Sequence, residues 1–307
     1  MVNRKVFLTG ASGYVGRNLA IALHREGYEV TCVARRIERC PKRACSKVVQ
    51  ADLRTPGPWV DTLPGHDAVL HLVGIIREDP RQGITFQTVH VEITERLLAA
   101  AEQAGVRRWL QMSALGADRE VTQYQKTKKR AEERVQSSPF SWTIFRPSVI
   151  FGRGDVLTGM IRRMMAWTRV FPYFTGPDSF ELQPVHIDNV VQGFVKALSN
   201  PETVGQIFEV AGPEVIPYRD FLRIVRQTVP GPVLLMPFPG AWMLRLTRVF
   251  QHLPGWPMTE EQFIMLAQGN TTPHWQRYFE VFQIEPISFR AYMSKSVGGN
   301  NGDHTDP

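Results

Sequence analysis

Tyr124 and Lys128 are the two residues of this sequence whose types and spacing best suit proton transfer. Side chains four residues apart lie on one face of a helix, so the phenol and the ammonium group are expected to be neighbours. A phenol has an ordinary pKa of about 10, and a nearby positive charge stabilises the phenolate and lowers that pKa. The pair therefore predicts that Tyr124 acts as a general acid or base, supported by Lys128.

A hydroxyl group that orients a substrate oxygen would complete such a site, and Ser113 is the candidate. It directly follows the apolar segment Trp109–Met112, which has the composition of a buried strand. Two interpretations stay open. The Ser113 hydroxyl orients a substrate oxygen beside Tyr124, or it satisfies backbone groups at the end of the strand.

A glycine-rich turn near the start of the chain predicts a dinucleotide site. Gly10, Gly13 and Gly16 lie between a predicted strand, Lys5–Leu8, and a predicted helix, Val15–Glu26. The first glycine permits the tight turn, the second lets the backbone approach a pyrophosphate, and the third lets the helix pack on the strand. The free N–H groups of the helix then face the phosphates. The residues expected to contact the cofactor here are Gly10, Ser12, Gly13, Tyr14, Val15 and Gly16.

The residues after the second predicted strand indicate which dinucleotide is bound. A site that prefers NAD carries a carboxylate there for the ribose hydroxyls, whereas this chain has Arg35 and Arg36. Arginine binds phosphate through two hydrogen bonds and keeps its charge. NADP(H) is therefore favoured, with NAD(H) as the alternative. Tyr124 would give its proton to a substrate carbonyl that receives a hydride, while Lys128 also holds the nicotinamide ribose.

Short apolar segments alternate with helix-like segments through the first two thirds of the chain. The predicted strands are Lys5–Leu8, Tyr28–Val33, Lys47–Gln50, Ala68–Leu72, Trp109–Met112, Trp142–Phe145 and Ile207–Val210. The predicted helices are Val15–Glu26, Thr85–Ala104, Tyr124–Val135, Ile187–Ser199 and Tyr218–Thr228. This alternation requires parallel strands with right-handed crossovers. We expect an α/β protein with a Rossmann-type doubly wound parallel sheet over residues 1–212, within which 153–184 contribute to the substrate side, then a smaller C-terminal domain over 213–296 and a disordered tail over 297–307.

The Gly-x-x-Gly-x-x-Gly spacing resembles that of extended and atypical short-chain dehydrogenases/reductases. Within that superfamily the chain resembles the NAD(P)H-binding accessory subunit of respiratory complex I and its bacterial relatives. The segments that carry the resemblance are His71–Gly74, Thr85–Phe86, Val89–Glu92, Met112–Ala117, Arg146–Gly152 and Pro184–Val190. The resemblance implies that Asp52 and Leu53 contact the adenine, that Leu72, Val73 and Gly74 lie beside the cofactor, and that Pro147 and Val149 lie near the nicotinamide.

The chain also departs from extended members of the superfamily. It has Ala114 and Leu115 where those members place the working hydroxyl, and His90 and Ile93 where many have Asn and Gly. Whether the protein is an enzyme therefore stays open. One hypothesis is an NADP(H)-dependent oxidoreductase or epimerase for a hydrophobic or isoprenoid-like carbonyl substrate. A second is a non-catalytic NADPH-binding subunit or assembly factor of a respiratory NADH–quinone oxidoreductase, and a third is a sensor of the dinucleotide ratio.

Charge and composition limit the classes of partner that the protein is expected to bind. The formal net charge is +7, and two segments, Gly159–Phe174 and Ala241–Phe250, combine arginines with Trp, Met and Phe without any acidic residue. Such segments suit a membrane interface, a hydrophobic cavity such as one for a quinone or lipid, or core packing between domains. No nucleic-acid-binding motif, transmembrane segment, secretion signal or metal-ligand cluster is recognised. We expect a cytoplasmic protein with reduced cysteines, or one bound peripherally to the inner face of the membrane.

Overall fold

The computed structural model describes residues 4–175, 180–251 and 258–298. Its strands are β1 (Lys5–Thr9), β2 (Glu29–Ala34), β3 (Lys47–Gln50), β4 (Ala68–His71), β5 (Arg108–Met112), β6 (Ser141–Pro147), β7 (Ile150–Phe151), β8 (Val170–Thr175), β9 (Glu181–Leu182), β10 (Val185–His186), β11 (Gln206–Val210), β12 (Ile216–Pro217) and β13 (Leu234–Pro239). Its α-helices are α1 (Tyr14–Arg25), α2 (Ile93–Gln103), α3 (Gln123–Gln136), α4 (Val156–Thr168), α5 (Ile187–Ala197), α6 (Tyr218–Arg226), α7 (Gly240–Phe250), α8 (Glu260–Ala267), α9 (Trp275–Phe282) and α10 (Phe289–Gly298).

Seven parallel strands form the main sheet, in the order β11-β6-β5-β4-β1-β2-β3. All seven predicted strands are present within two residues of their predicted bounds, and the predicted Rossmann-type parallel sheet is confirmed. β1 pairs with β2 on one side and β4 on the other, so the winding direction reverses between β1 and β4. In open α/β sheets, ligands bind at the carboxyl ends of the strands beside such a reversal.

The predicted helix Thr85–Ala104 is divided in the structure. Gln87–Glu92 form a π-helical turn, and the regular helix α2 begins only at Ile93. Side-chain bonds accompany the wide turn: Glu78 Oε1 accepts the N–H of Phe86 at 2.6 Å, and the Thr94 hydroxyl donates to the carbonyl of His90 at 2.6 Å. Periodicity cannot reveal this turn, which is of a type found often at functional sites.

The chain separates into two compact units that do not follow the predicted boundary at residue 212. The first contains residues 4–147, 187–210 and 274–284, and the second contains the described parts of 148–186, 211–273 and 285–298. Helix α9 belongs to the first unit because it packs on α5. The Tyr278 hydroxyl donates to the carbonyl of Asn189 at 2.7 Å, and a Cβ on Gly193 would lie 1.9 Å from that hydroxyl oxygen. Of the predicted disordered tail, Val297 and Gly298 end α10, and 299–307 lie outside the described residues.

The second unit has its own aromatic and aliphatic core, which includes Phe151, Met165, Phe174, Phe221 and Phe289. The basic segment Gly159–Phe174 is not one helix, because α4 ends before Arg169, whose φ is +59°, and β8 begins at Val170 and pairs in parallel with β13.

Four elements of the second unit, α4, β8, β13 and α7, carry exposed apolar and basic residues, here called the basic apolar surface, in which Arg248 is paired with Glu260 of α8 at 2.7 Å. Its exposed apolar side chains are Trp167, Val170, Leu234, Met236, Trp242 and Val249, and its arginines are Arg162, Arg163, Arg169, Arg245 and Arg248. Trp167 is 87% exposed, so core packing does not explain it. No acidic residue occurs in 156–175 or 234–251.

The cysteines correct the expectation of reduced thiols. Cys32 in β2 and Cys45 just before β3 form a disulfide, with their Cα atoms 5.9 Å apart, and Cys40 remains free and buried. The two bonded cysteines meet because β2 and β3 are adjacent parallel strands, with Cys32 opposite Val48. An odd number of cysteines does not exclude one bridge.

The described ranges, residues 4–175, 180–251 and 258–298, contain no helix that is long and apolar enough to cross a membrane. They also contain no group of His, Cys, Asp and Glu side chains that could hold a metal ion.

A buried ion pair joins α3 to strand β6, which is second from the edge of the main sheet. The guanidinium group of Arg146 donates from Nε to Glu132 Oε1 at 2.8 Å and from Nη2 to Glu132 Oε2 at 2.7 Å. A third bond runs from Nη1 to Asp118 Oδ2 at 2.9 Å. Because the Glu132 side chain is 0% exposed, its carboxylate depends on Arg146 to replace water. The pair fixes the helix that carries Tyr124 and Lys128.

Replacing Glu132 with Gln should lower the free energy of unfolding by about 3 kcal/mol, because it leaves the buried Arg146 partly uncompensated. The control is Glu133→Gln at the next position, where the carboxylate is 55% exposed and lies 3.8 Å from Lys129 Nζ. That variant should lose about 0.5 kcal/mol or less. Urea unfolding of both variants is the measurement, and equal losses would contradict this role of the buried pair.

Candidate functional site

A cavity of about 340 Å³ lies in the first unit at the carboxyl ends of β1 to β4. Ten of the predicted cofactor-binding residues line it: Gly10, Ser12, Gly13, Arg35, Arg36, Asp52, Leu53, Leu72, Val73 and Gly74. A larger hollow of about 920 Å³ lies near the C-terminal ends of α1 and α5. It contains none of the predicted site residues, so the smaller cavity is the candidate site.

The glycine turn shapes the cavity at the end of β1. Gly10 has a φ of +74°, and its carbonyl accepts the N–H of Gly13 at 2.9 Å. A Cβ on Gly16 would lie 2.2 Å from the Gly10 oxygen, so only glycine lets α1 begin this close to the strand. Gly13 is the N-cap of α1 and supplies no side-chain cap. The first N–H groups of the helix are therefore left for an anionic ligand.

The rim beside β2 and β3 is rich in arginine. Arg35, Arg36 and Arg39 line the cavity and are exposed, while Asp52 is held by Arg54. Arg54 Nε lies 3.0 Å from both Asp52 oxygens and Nη2 lies 2.7 Å from Oδ2. These hydrogen bonds lower the pKa of the Asp52 carboxyl below its ordinary value. Because Arg54 neutralises this carboxylate, the other three arginines give the rim a positive charge.

The sequence predictions did not include two of these arginines, Arg39 and Arg54. Arg39 follows Arg35 by one turn across the short 3₁₀ helix Ile37–Arg39, and Arg54 follows Asp52 by two residues. In both cases the short spacing to a predicted site residue, Arg35 or Asp52, is the sequence signal that indicates them.

Lys128 lies between the ends of β4 and β5. Its Nζ donates to the carbonyl of Met112 at 3.2 Å and lies 3.1 Å from the position of the Cβ that Gly74 lacks. The residue is 6% exposed, and this burial lowers the pKa of its ammonium group to about 8. Gly74 lines the cavity, and the ammonium group lies against Gly74 without itself lining the cavity. Helix α3 starts beside it with a capping box formed by Thr122 and Gln125.

Tyr124 is packed edge-on against two rings. Its centroid lies 5.6 Å from that of Phe86 and 5.3 Å from that of His90. Burial raises the pKa of Tyr124 to about 12. The spacing to Lys128 predicts a lowered phenol pKa, and this prediction is wrong, because the loss of water around the hydroxyl raises the pKa of Tyr124. Tyr124 therefore holds its proton at neutral pH.

Two buried histidines near Lys128 are neutral. His90 Nδ1 lies 3.0 Å from the Thr127 hydroxyl, and its Nε2 accepts the N–H of Ile75 at 3.2 Å. Burial lowers the pKa of His90 to about 2 and that of His71 to about 3. Neither residue was assigned a role from the sequence. His90 was noted only as a departure from the asparagine of extended members.

Ser113 is 4% exposed, and within the described part of the chain its hydroxyl has no hydrogen-bond partner. Its backbone N–H, and not its hydroxyl, donates to the carbonyl of Phe145 at 2.7 Å. The structure therefore does not show the second interpretation, in which the Ser113 hydroxyl forms hydrogen bonds with backbone groups at the end of the strand. A buried hydroxyl without a partner fits a site whose ligand completes the hydrogen bond.

The other predicted residues, among them Tyr124, Lys128 and Ser113, do not line the cavity. Tyr14, Val15 and Gly16 form the first turn of α1. Pro147 ends β6, and its carbonyl accepts the N–H of Leu115 at 2.9 Å. Val149 belongs to the second unit, where its N–H donates to Asn270 Oδ1 at 2.8 Å. The glycine turn and the arginine rim together fit an anionic dinucleotide.

Comparisons with known proteins agree with this geometry. Residues 10–159 match an NAD(P)H-binding family. The chain is 27% identical over 275 residues to mitochondrial NADH dehydrogenase [ubiquinone] 1 alpha subcomplex subunit 9 of Arabidopsis thaliana, a match that covers 85% of this chain and 67% of that protein. It is also 27% identical over 198 residues to the ceramide reductase of Caulobacter vibrioides, which covers 64% of this chain and 61% of the reductase. The chain thus spans about two thirds or less of the length of these relatives.

The fold is that of MoeE5, whose structure in complex with UDP-glucose and NAD superposes with a TM-score of 0.75 at 17% identity, covering 96% of this chain and 97% of that one. At this identity the likeness establishes the fold alone. Residues 10–159 are therefore similar to an NAD(P)H-binding family, in a chain that has the fold of MoeE5 and is similar in sequence to a subunit of mitochondrial NADH dehydrogenase.

Proposed function

We propose that the first unit binds NADP(H) and that Tyr124, Lys128 and Ser113 use it to reduce a hydrophobic carbonyl substrate. One observation carries the proposal. A single cavity is bordered by Arg35, Arg36 and Arg39 and also by Gly74, against which the buried ammonium group of Lys128 lies. The cavity therefore offers charge for a phosphate, and the ammonium group of Lys128 lies against the Gly74 wall of that cavity.

The arginine rim selects the phosphorylated dinucleotide. The N–H groups at the start of α1 bind the pyrophosphate, and Arg35, Arg36 and Arg39 bind the 2′-phosphate. Asp52 is bound to Arg54 and does not compete for a ribose hydroxyl as the carboxylate of an NAD site would.

The chain supplies the proton that a carbonyl reduction needs. When bound, the reduced cofactor supplies a hydride to the carbonyl carbon. Tyr124 is protonated at neutral pH because its pKa is about 12, and it gives that proton to the carbonyl oxygen, so the substrate becomes an alcohol. Lys128, whose pKa is about 8, is charged below that pH and stabilises the phenolate that forms. The Ser113 hydroxyl donates to the same substrate oxygen.

The surroundings of Tyr124 favour an apolar substrate. The rings of Phe86 and His90 pack against the phenol, and His90 carries no charge. Such walls exclude water and suit a hydrocarbon chain beside the carbonyl. The relationship to a ceramide reductase supports the same substrate class. Reduction is favoured over epimerisation because Tyr124 holds the proton that reduction requires.

A second candidate is a non-catalytic NADPH-binding subunit or assembly factor of a respiratory NADH–quinone oxidoreductase. The relative in Arabidopsis thaliana, which matches 85% of this chain, favours it. The basic apolar surface of the second unit favours a peripheral contact with an anionic membrane, such as the inner face of the cytoplasmic membrane. In this role the bound cofactor stabilises the first unit and Tyr124 transfers no proton.

Replacing Arg35 and Arg36 together with Ala should weaken NADPH binding about 100-fold, because two charge-assisted hydrogen-bonding groups are lost from the 2′-phosphate. NADH binding should change little. The control is Arg43→Ala, an exposed arginine of the same loop that does not line the cavity. Calorimetric titration of both cofactors is the measurement, and an equal loss for NADH and NADPH would contradict the assignment.

Replacing Tyr124 with Phe should lower turnover of NADPH with long-chain ketones at least about 100-fold, because the general acid is removed. Cofactor affinity should be unchanged. Tyr28→Phe is the control, since Tyr28 does not line the cavity and its hydroxyl accepts a hydrogen bond from the exposed Arg4 at 3.4 Å. If the unsubstituted protein binds NADPH but consumes none with any carbonyl compound, the second candidate is favoured.

At saturating cofactor, kcat should be constant below pH 8 and fall as pH rises through about 8, where Lys128 loses its proton. The sign follows from the charge, since a neutral lysine no longer stabilises the phenolate. Lys128→Arg should move the fall to higher pH, because a guanidinium group keeps its proton. A profile of kcat against pH measures both effects, and an unchanged midpoint in the arginine variant would refute the role of Lys128.

A further inference from the structure

A second cavity, of about 420 Å³, lies within the second unit and has no role in the function proposed for Tyr124 and Lys128. It is here called the arginine cavity, because Arg153, Arg162 and Arg163 line it. The loop Gly152–Asp155 and the first half of α4 form one side, and Tyr292 of α10 lies on another.

The arginine cavity keeps a net positive charge, because three arginines and one carboxylate, that of Asp155, line it. In the described ranges, none of its three guanidinium groups forms an ion pair with a carboxylate. Asp155 also lines the cavity, but it caps α4. One of its oxygens accepts the N–H of Thr158 at 2.7 Å and the other accepts the Thr158 hydroxyl. Three arginines converging on one cavity suit a phosphate group, which each can bind through two hydrogen bonds.

The space for such a group is present. A Cβ added to Gly154 or Gly159 would meet no heavy atom within 4 Å, so the backbone of the loop and of the first turns of α4 borders an open volume. A ligand can therefore approach the arginines without displacing a side chain at these positions.

The basic apolar surface continues directly from this cavity. Arg163 and Trp167 lie one turn apart on the same face of α4, and Trp167 is 87% exposed. A soluble phosphorylated metabolite gives no reason for an exposed tryptophan beside its site. The boundary of a lipid bilayer does, because the indole ring sits among headgroups and acyl chains while basic residues bind anionic headgroups.

We propose that the arginine cavity binds the phosphate headgroup of an anionic phospholipid in a bilayer, with Trp167 entering the interface beside it. The inference deepens the membrane contact proposed above and rests on it. It is independent of the chemistry of Tyr124.

The test is sedimentation of the full chain with phosphatidylcholine vesicles, with and without phosphatidic acid, at fixed ionic strength. Arg162→Gln/Arg163→Gln is the test variant, and Arg107→Gln/Arg130→Gln, on exposed arginines of the first unit, removes the same charge. We expect the unsubstituted protein and the control to bind vesicles that contain phosphatidic acid, and the test variant to bind them at least about fivefold more weakly. Trp167→Gln should weaken binding in the same direction. Circular dichroism melts of every variant confirm folding.

Three outcomes would overturn the proposal, and they differ. If the unsubstituted protein binds no vesicle, the membrane contact fails and the lipid site fails with it. If the test variant binds as tightly as the control, the membrane contact stands but the arginine cavity is not the headgroup site. If inorganic phosphate displaces the protein from vesicles as effectively as a short-chain phosphatidic acid does, the cavity recognises soluble phosphate and not lipid.

Discussion

The buried ion pair between Glu132 and Arg146 is the interaction on which the candidate site depends. It joins α3 to β6 through two hydrogen bonds of 2.7 and 2.8 Å, with the carboxylate fully withdrawn from water. Helix α3 carries Tyr124 and Lys128 as well as Glu132. Because the ion pair fixes the third turn of α3 against the sheet, it also fixes the position of the Tyr124 and Lys128 side chains along the strands.

Lys128 shows the consequence of that placement. An ammonium group buried at the strand ends loses hydration, and its pKa falls to about 8. The neutral state of His71 and His90 keeps further positive charge away from it. The same burial raises the pKa of Tyr124 to about 12. The pair is thus arranged with the proton on the phenol and the positive charge on the lysine, which suits proton donation.

The arginines of the two units have different surroundings. In the first unit, Arg35, Arg36 and Arg39 line a cavity whose acidic residue is already bound to Arg54. In the second unit, arginines alternate with exposed tryptophan and aliphatic side chains. The net charge of +7 therefore does not describe one general affinity for anions. One group borders the candidate dinucleotide cavity, and the other lies among exposed apolar side chains.

The sequence by itself determined the parallel sheet and most of the cofactor cavity, because both depend on local patterns. Apolar strands alternating with helices can be satisfied only by right-handed crossovers, and the glycines at 10, 13 and 16 encode a turn within a single segment. Tertiary structure alone decided what depends on residues distant in the chain. It brought Cys32 beside Cys45 through strand pairing, placed α9 on α5 through Tyr278, and set the pKa of Tyr124 through burial rather than through its spacing to Lys128. Desolvation is a property of the packed surroundings, and no spacing of residues specifies it.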